Sequence, residues 1–254
     1  MKTSYKIAVL IDAENTQHYL LGSVLSELSK FGHIVVKRAY GDWSSLQLSN
    51  WKKPLNELAI IPIQQFSYTY GKNASDAAMI IDAMDLLYSN KFDAFALITS
   101  DSDFTKLASR LKESQIFVIG VGEQKTPLSF RNACDNFIST EVLQKKENEP
   151  IPTPEEKTAE ACGALQRTKK QLCCDTHLIS LLRNAIREYE DEDGWSLLGS
   201  CGGLIKRQHP DFDPRTYGFP TLSSLIEATE LFKIEKRDPG NGKSNIVYVK
   251  DERV

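Results

Sequence analysis

Residues 94–104 read Ala-Phe-Ala-Leu-Ile-Thr-Ser-Asp-Ser-Asp-Phe, an apolar run that breaks into alternating hydroxyls and carboxylates. A short apolar run closed by a helix-start signal is the pattern of a strand buried on both faces, as in a parallel sheet. The pattern recurs at Ile7-Ala8-Val9-Leu10-Ile11, closed by Asp12 and followed by Glu14 and Asn15. Ligands of open α/β sheets bind beyond the carboxyl ends of such strands, where Asp12, Asp101 and Asp103 fall. A fourth carboxylate, Asp76, opens the apolar stretch Ala77-Ala78-Met79-Ile80-Ile81, where an unpaired charge is costly. Four carboxylates converging at one end of a sheet repel one another unless a hard cation, Mg²⁺ or Mn²⁺, neutralises them.

Around these runs the first half of the chain alternates strand-like and helix-like segments. Strands are expected near residues 5–12, 33–40, 59–65, 93–99, 116–121 and 136–138, and helices near 15–30, 45–57, 74–89, 103–114 and 127–133. That alternation implies βαβ crossovers and a parallel sheet with helices on both faces. Residues 1–143 are read as this α/β domain and 144–175 as a polar, proline-rich linker with room for a short helix at 161–174. In 176–254, Asp175 or Thr176 caps a first helix, a second is expected at 196–208, and a third follows Thr221. A hairpin around Pro239-Gly240-Asn241-Gly242 completes a small winged-helix domain.

The composition is that of an ordinary soluble protein, with 41% hydrophobic and 26% charged residues. No apolar stretch approaches the roughly 20 residues of a membrane helix, and the N-terminus runs into a strand without a signal-peptide pattern. The five cysteines form no CxxC and lack histidines at zinc spacing, so reduced thiols and a cytoplasmic location are expected. Cys173-Cys174 leaves a redox handle open. A net charge of −3 argues against nonspecific nucleic-acid binding through overall charge, but not against a local basic face.

Single aspartates after strands are commonly caps or turn formers, and Asp103 suits a cap for a helix starting at Phe104. Taken together, however, three motifs carry a resemblance. Ile11-Asp12-Ala13-Glu14-Asn15, Lys72-Asn73-Ala74-Ser75-Asp76 with Asp82 beyond it, and Thr99-Ser100-Asp101-Ser102-Asp103-Phe104 resemble the motifs of NYN domains. These are PIN-like nucleases, and the bacterial LabA branch is the nearest likeness. Val118–Gly122 and Leu128–Phe137 resemble that branch too, so the likeness spans about residues 5–140. It implies a metal-dependent ribonuclease site with Asp12, Asp76, Asp101 and Asp103 as metal ligands and catalytic residues. Asn15 and Ser100 would position substrate or a ligand water. Helical spacing sets Asp82 off the face of Asp76, which suggests a supporting role. Lys72 suits a phosphate contact or a solvated loop. Trp43 and Trp51 suit either base stacking or a hydrophobic seam, and Phe66, Tyr68 and Tyr70 lie close to the expected site mouth.

The run Pro210-Asp211-Phe212-Asp213-Pro214-Arg215-Thr216-Tyr217-Gly218-Phe219, with Gly194-Trp195-Ser196 before it, resembles the LOTUS domain, also called OST-HTH. That family implies RNA binding, or a protein partner in some members. Candidate RNA contacts are Lys206, Arg207 and Arg215, with Lys233, Lys236, Arg237 and Lys243; a solvated charged face is the alternative. The acidic run Glu188–Asp193 repels RNA along one edge. The expectation is a metal-dependent ribonuclease coupled to an RNA-binding module. A noncatalytic RNA-binding adaptor and a small-phosphoester hydrolase are the other readings.

Overall fold

The computed structural model describes residues 4–66, 74–147, 167–237 and 246–252. Lys72, Tyr68, Tyr70, Lys243 and the expected hairpin turn lie outside them. The chain divides into two compact units, Met1–Pro150 and Ile151–Val254.

In the first unit, strands β1 (Tyr5–Asp12), β2 (Gly32–Gly41), β3 (Ile61–Gln64), β4 (Ala94–Ile98), β5 (Phe117–Gly122) and β6 (Asn136–Ser139) form one sheet. All pairings are parallel, in the order β3-β2-β1-β4-β5-β6. The helices are α1 (Leu21–Leu28), α2 (Lys52–Glu57), α3 (Ala74–Tyr88), α4 (Thr105–Glu113), α5 (Leu128–Ala133) and α6 (Thr140–Glu147). Strand alternation divides the core into two layers. Ile7, Val9, Ile11, Ala94, Ala96 and Ile98 face one, with α1 and α2 packed against them. Ala8, Leu10, Phe95 and Leu97 face the other, against α3, α4 and α5. Every residue of β4 is buried, which accounts for the unbroken apolar run. Pro62 sits in the edge strand β3, where its missing N–H is tolerated.

The strand order reverses direction between β1 and β4, so the carboxyl ends of these two strands flank the crevice where such sheets bind ligands. One side chain ties the crevice to the helical layer. Tyr40 is paired with Asp12 across β1 and β2, and its carbonyl accepts from Ala13 N at 3.0 Å. Its hydroxyl donates to Asp82 on α3, which Arg38 also contacts. Asp82 therefore clamps α3 onto β2, the supporting role expected of it.

Several helix starts differ from expectation. The helix expected at 45–57 is a 3-10 helix over Leu46–Trp51 before α2, and the one expected from 103 opens with a 3-10 turn, Ser102–Phe104. The helix expected from residue 15 begins as a 3-10 turn at His18 and becomes α-helical at Leu21, because the N–H groups of Glu14 and Asn15 are held by Asp12. The helix expected from Ser196 begins at Leu198. Ser196 and Leu197 instead form a short strand, β7.

The second unit contains α7 (Lys169–Cys174), α8 (Thr176–Glu188), β7 (Ser196–Leu197), α9 (Leu198–Gln208), α10 (Leu222–Thr229), β8 (Phe232–Arg237) and β9 (Ile246–Asp251). The strands form an antiparallel sheet in the order β7-β9-β8. Leu172 of α7 is buried with Leu178, Leu182, Ile205, Leu225 and Val249 in one core, so that part of the expected linker folds with the second unit. Asp175 caps α8 by accepting from Leu178 N at 3.0 Å. Thr221 and Ser224 form a capping box at α10. Gly218 has φ of 90°, a conformation that strains any other residue, and the rings of Phe212 and Tyr217 pack 6.1 Å apart beside it.

The polar, proline-rich composition of residues 148–166 yields a prediction. Limited proteolysis of the native chain should cut first in that interval and release two resistant fragments. Early cutting inside residues 5–140 would place the boundary elsewhere.

Candidate functional site

Asp12 ends β1 and is only 2% exposed. Its carboxylate is nevertheless well supplied with donors. Oδ2 accepts from Thr99 Oγ1 at 2.8 Å and from Asn15 Nδ2 at 2.9 Å. Oδ1 accepts from the backbone N–H groups of Glu14 and Asn15 at 3.2 and 3.3 Å. Burial raises its pKa, and these hydrogen bonds hold the rise back.

Asp101 and Asp103 follow β4, and Asp76 comes from α3, which packs against β1 and β2. Asp101 caps the 3-10 turn Ser102–Phe104 by accepting from Asp103 N at 2.9 Å. Asp101, not Asp103, is thus the capping residue of this turn. Asp101 N in turn donates to Thr99 Oγ1 at 3.0 Å, so one threonine braces both Asp12 and Asp101. Asp76 lies in the first turn of α3, buried, next to Ser75, whose hydroxyl donates to Glu14 at 3.3 Å. One carboxylate oxygen from each of Asp76, Asp101 and Asp103 lies within 4.8 Å of the others.

Two like charges about 5 Å apart repel by roughly 3 kcal/mol at an effective dielectric of about 20. The effect is visible at Asp76, whose pKa is pushed up to about 6. Burial is the largest cause, followed by the charges of Asp12, Asp101, Glu14 and Asp103. Hard oxygen donors are what Mg²⁺ and Mn²⁺ take. In an octahedron with bonds of about 2.1 Å, neighbouring ligands stand about 3.0 Å apart and opposite ones about 4.2 Å, so the three oxygens, within 4.8 Å of one another, would draw closer together to share such a cation. Asp12 is outside this trio. Its oxygens are engaged by donors, although a carboxylate keeps further lone pairs.

The remaining expected residues divide. Asn15 directs its amide to Asp12. Ser100 lends its hydroxyl oxygen to Glu123 N at 2.9 Å, joining the Asp101 loop to the turn after β5. Gly122, which ends β5 just before that turn, has no room for a side chain, since a Cβ there would stand 2.5 Å from the Thr99 carbonyl. Trp51 is buried and packs edge-on against Trp43 at 5.8 Å, lining the core seam. In the second unit, Arg215 is held against Asp213 at 2.6–3.0 Å. Arg207 donates to the Tyr189 hydroxyl at 2.9 Å, and the half-buried Lys206 is close enough to Asp213 to act on its charge. Sequence reasoning overlooked Thr99 and Ser75. Their signal was adjacency to marked residues, which does not reveal where a hydroxyl points.

A parallel sheet of this order with an acidic cluster at its switch point is the architecture of the PIN-like nuclease superfamily. The chain belongs to the NYN domain family, which matches residues 6–143, and an OST-HTH/LOTUS domain matches residues 171–244. Over 170 residues the chain is 28% identical to an uncharacterized protein of Methanocaldococcus jannaschii, covering 61% of this chain and 67% of that one. A crystal structure of a protein of unknown function from Vibrio parahaemolyticus is similar with 17% identity and a TM-score of 0.46, over 55% of this chain and 94% of that one. A solution structure of an uncharacterized protein from Nitrosomonas europaea has 26% identity and a TM-score of 0.27, over 41% of this chain and 90% of that one. At these TM-scores neither likeness bears on function.

The raised pKa of Asp76 yields a signed prediction. Its folded value, about 6, exceeds the ordinary carboxylate value, so the folded state binds more protons and stability falls as pH rises through that window. Asp76→Asn should therefore raise the Tm of cation-free protein near pH 7, and the gain should be much smaller near pH 4, close to the ordinary carboxylate value. Calorimetry in EDTA at both pH values checks this; an equal gain at both would dissociate it from the charge.

Proposed function

We infer that the chain is a metal-dependent ribonuclease that hydrolyses RNA phosphodiesters at the end of the β1–β4 crevice. The carrying observation is the convergence of Asp76, Asp101 and Asp103 oxygens within 4.8 Å, in a chain of the NYN family. Asp76, Asp101 and Asp103 supply ligands for Mg²⁺ or Mn²⁺, and Asp12 adds its buried charge at the inner wall. When bound, such a cation lowers the pKa of a coordinated water and stabilises the leaving oxygen. Thr99 fixes the positions of Asp12 and Asp101, and Asn15 orients Asp12. Ser100 braces the neighbouring turn. No side-chain nucleophile is called for.

The OST-HTH/LOTUS unit supports RNA as the substrate, since each half of the chain matches a family that handles RNA. Lys206, Arg207 and Arg215 remain our candidates for its contacts, and Lys72 for a phosphate contact in the first unit. A protein partner at the same unit is the other role open to it. No helix among the described residues is long and apolar enough to cross a membrane, and we place the protein in the cytoplasm. The deciding experiment is a cleavage assay on mixed structured and single-stranded RNA with Mn²⁺, Mg²⁺ or EDTA. RNA retained but uncut under every condition would favour a noncatalytic adaptor.

Two outcomes are expected. Asp101→Asn should abolish cation-dependent cleavage while keeping the fold, because one charge of a mutually repelling set is removed. Unchanged cleavage would remove Asp101 from the site. A chain ending at Glu147 should cut saturating RNA nearly as fast as the whole chain but with a higher KM, because the tethered RNA-binding unit is gone. A lower kcat at unchanged KM would give the second unit a different task.

A further inference from the structure

Beside the acidic trio a cleft of about 440 Å³ opens, lined by Glu14, Asn15, Gln17, Ser100, Asp101 and Lys125 among others. Asp101 belongs to both, so the cleft continues directly from the proposed cation site. Its described walls carry carboxylates, amides and hydroxyls but no aromatic ring, and Lys125 is their one cation. Such a surface offers hydrogen-bonding groups to a sugar-phosphate backbone and no ring for a base to stack on, and its carboxylates Glu14, Asp101 and Glu123 leave Lys125 as the one side chain that attracts a phosphate.

Lys125 differs from an ordinary surface lysine in how its turn is held. Glu123 N donates to Ser100 Oγ at 2.9 Å, and Gln124 N donates to both oxygens of Glu141 at 2.9 and 3.0 Å. Thr126 N closes the turn onto the Glu123 carbonyl at 3.0 Å. Gly122 lets the backbone entering the turn lie close to the Thr99 carbonyl and the Ser100 hydroxyl, where a Cβ would stand 2.5 and 3.1 Å from them. The lysine side chain itself is exposed and pairs with Glu123 at 2.8 Å. An exposed pair of this kind is weak because water screens it, so exchanging Glu123 for a phosphate costs little. A firmly placed stem with a transferable ammonium is suited to a phosphate contact.

The geometry points to this cleft as the groove for the RNA backbone next to the scissile phosphate, with Lys125 as its phosphate contact. The inference rests on the ribonuclease reading of the acidic cluster, and the test separates the two. The full chain and its Lys125→Ala, Lys125→Arg and Lys125→Glu variants are photocrosslinked to a single-stranded oligoribonucleotide carrying 4-thiouridine, and the crosslinked peptides are mapped. Crosslinks should fall in residues 14–17 or 122–127, weaken with Ala and Glu, and return with Arg. In cleavage assays Lys125→Ala should raise KM about tenfold, as expected for one lost charge-assisted contact, with a much smaller change in kcat. Its salt dependence should fall by about one phosphate contact. Crosslinks absent from both segments, or unchanged in Lys125→Glu, overturn the groove. Cleavage with unchanged KM in Lys125→Glu overturns the groove and leaves the ribonuclease reading standing. Lysine-dependent crosslinks without cleavage under any cation support the groove and overturn the ribonuclease reading.

Discussion

A carboxylate at the buried end of a strand is stable as a charge only if donors surround it, and Asp12 receives them from three sources. The loop after its own strand gives two N–H groups, Asn15 gives a side-chain amide, and Thr99 reaches across from β4. The hydrogen bond to Thr99 joins the two strands at the point where the sheet changes direction. Because Thr99 Oγ1 also accepts from Asp101 N, the position of the acidic loop follows from the position of Asp12. The opposing force is repulsion among the carboxylates, concentrated on Asp76. Donors therefore fix the inner wall of the crevice, and its outer wall retains the excess charge that a cation can relieve.

Much of this was legible in the sequence because burial on both faces leaves an unmistakable signature. The runs at Ile7–Ile11 and Ala94–Ile98 have no polar interruption, and each proves to be a central strand with alternate residues in opposite core layers. Their terminal aspartates could then be assigned to one end of the sheet. The burial of Asp76 was readable from its apolar neighbours, and helical spacing set Asp82 apart from its face, although the partners of Asp82, Tyr40 and Arg38, carried no local sign.

What was not legible depended on partners distant in sequence or on competition for one hydrogen bond. Ser196 looks like a helix start, but it is wholly buried, pairs with Val249 and donates to the Ile186 carbonyl at 2.6 Å. In Asp-Ser-Asp-Phe either aspartate suits the cap, and only the backbone path chooses Asp101. Arg215 reads as a surface cation, yet Asp213 two residues away takes its guanidinium. The turn around Lys125 carries no local mark at all, since its anchors, Ser100 and Glu141, lie elsewhere in the chain.

The Asp12–Thr99 hydrogen bond spans 87 residues of sequence, and between them the chain must lay down α1, β2, α2, β3, α3 and β4. Loop-closure entropy makes such distant pairings late events in folding. A chain emerging from synthesis with its first three strands complete still lacks β4, and with it Thr99, Asp101 and Asp103. The cluster is thus absent until the central strand pair is complete, and completion of that pair is what brings it into existence.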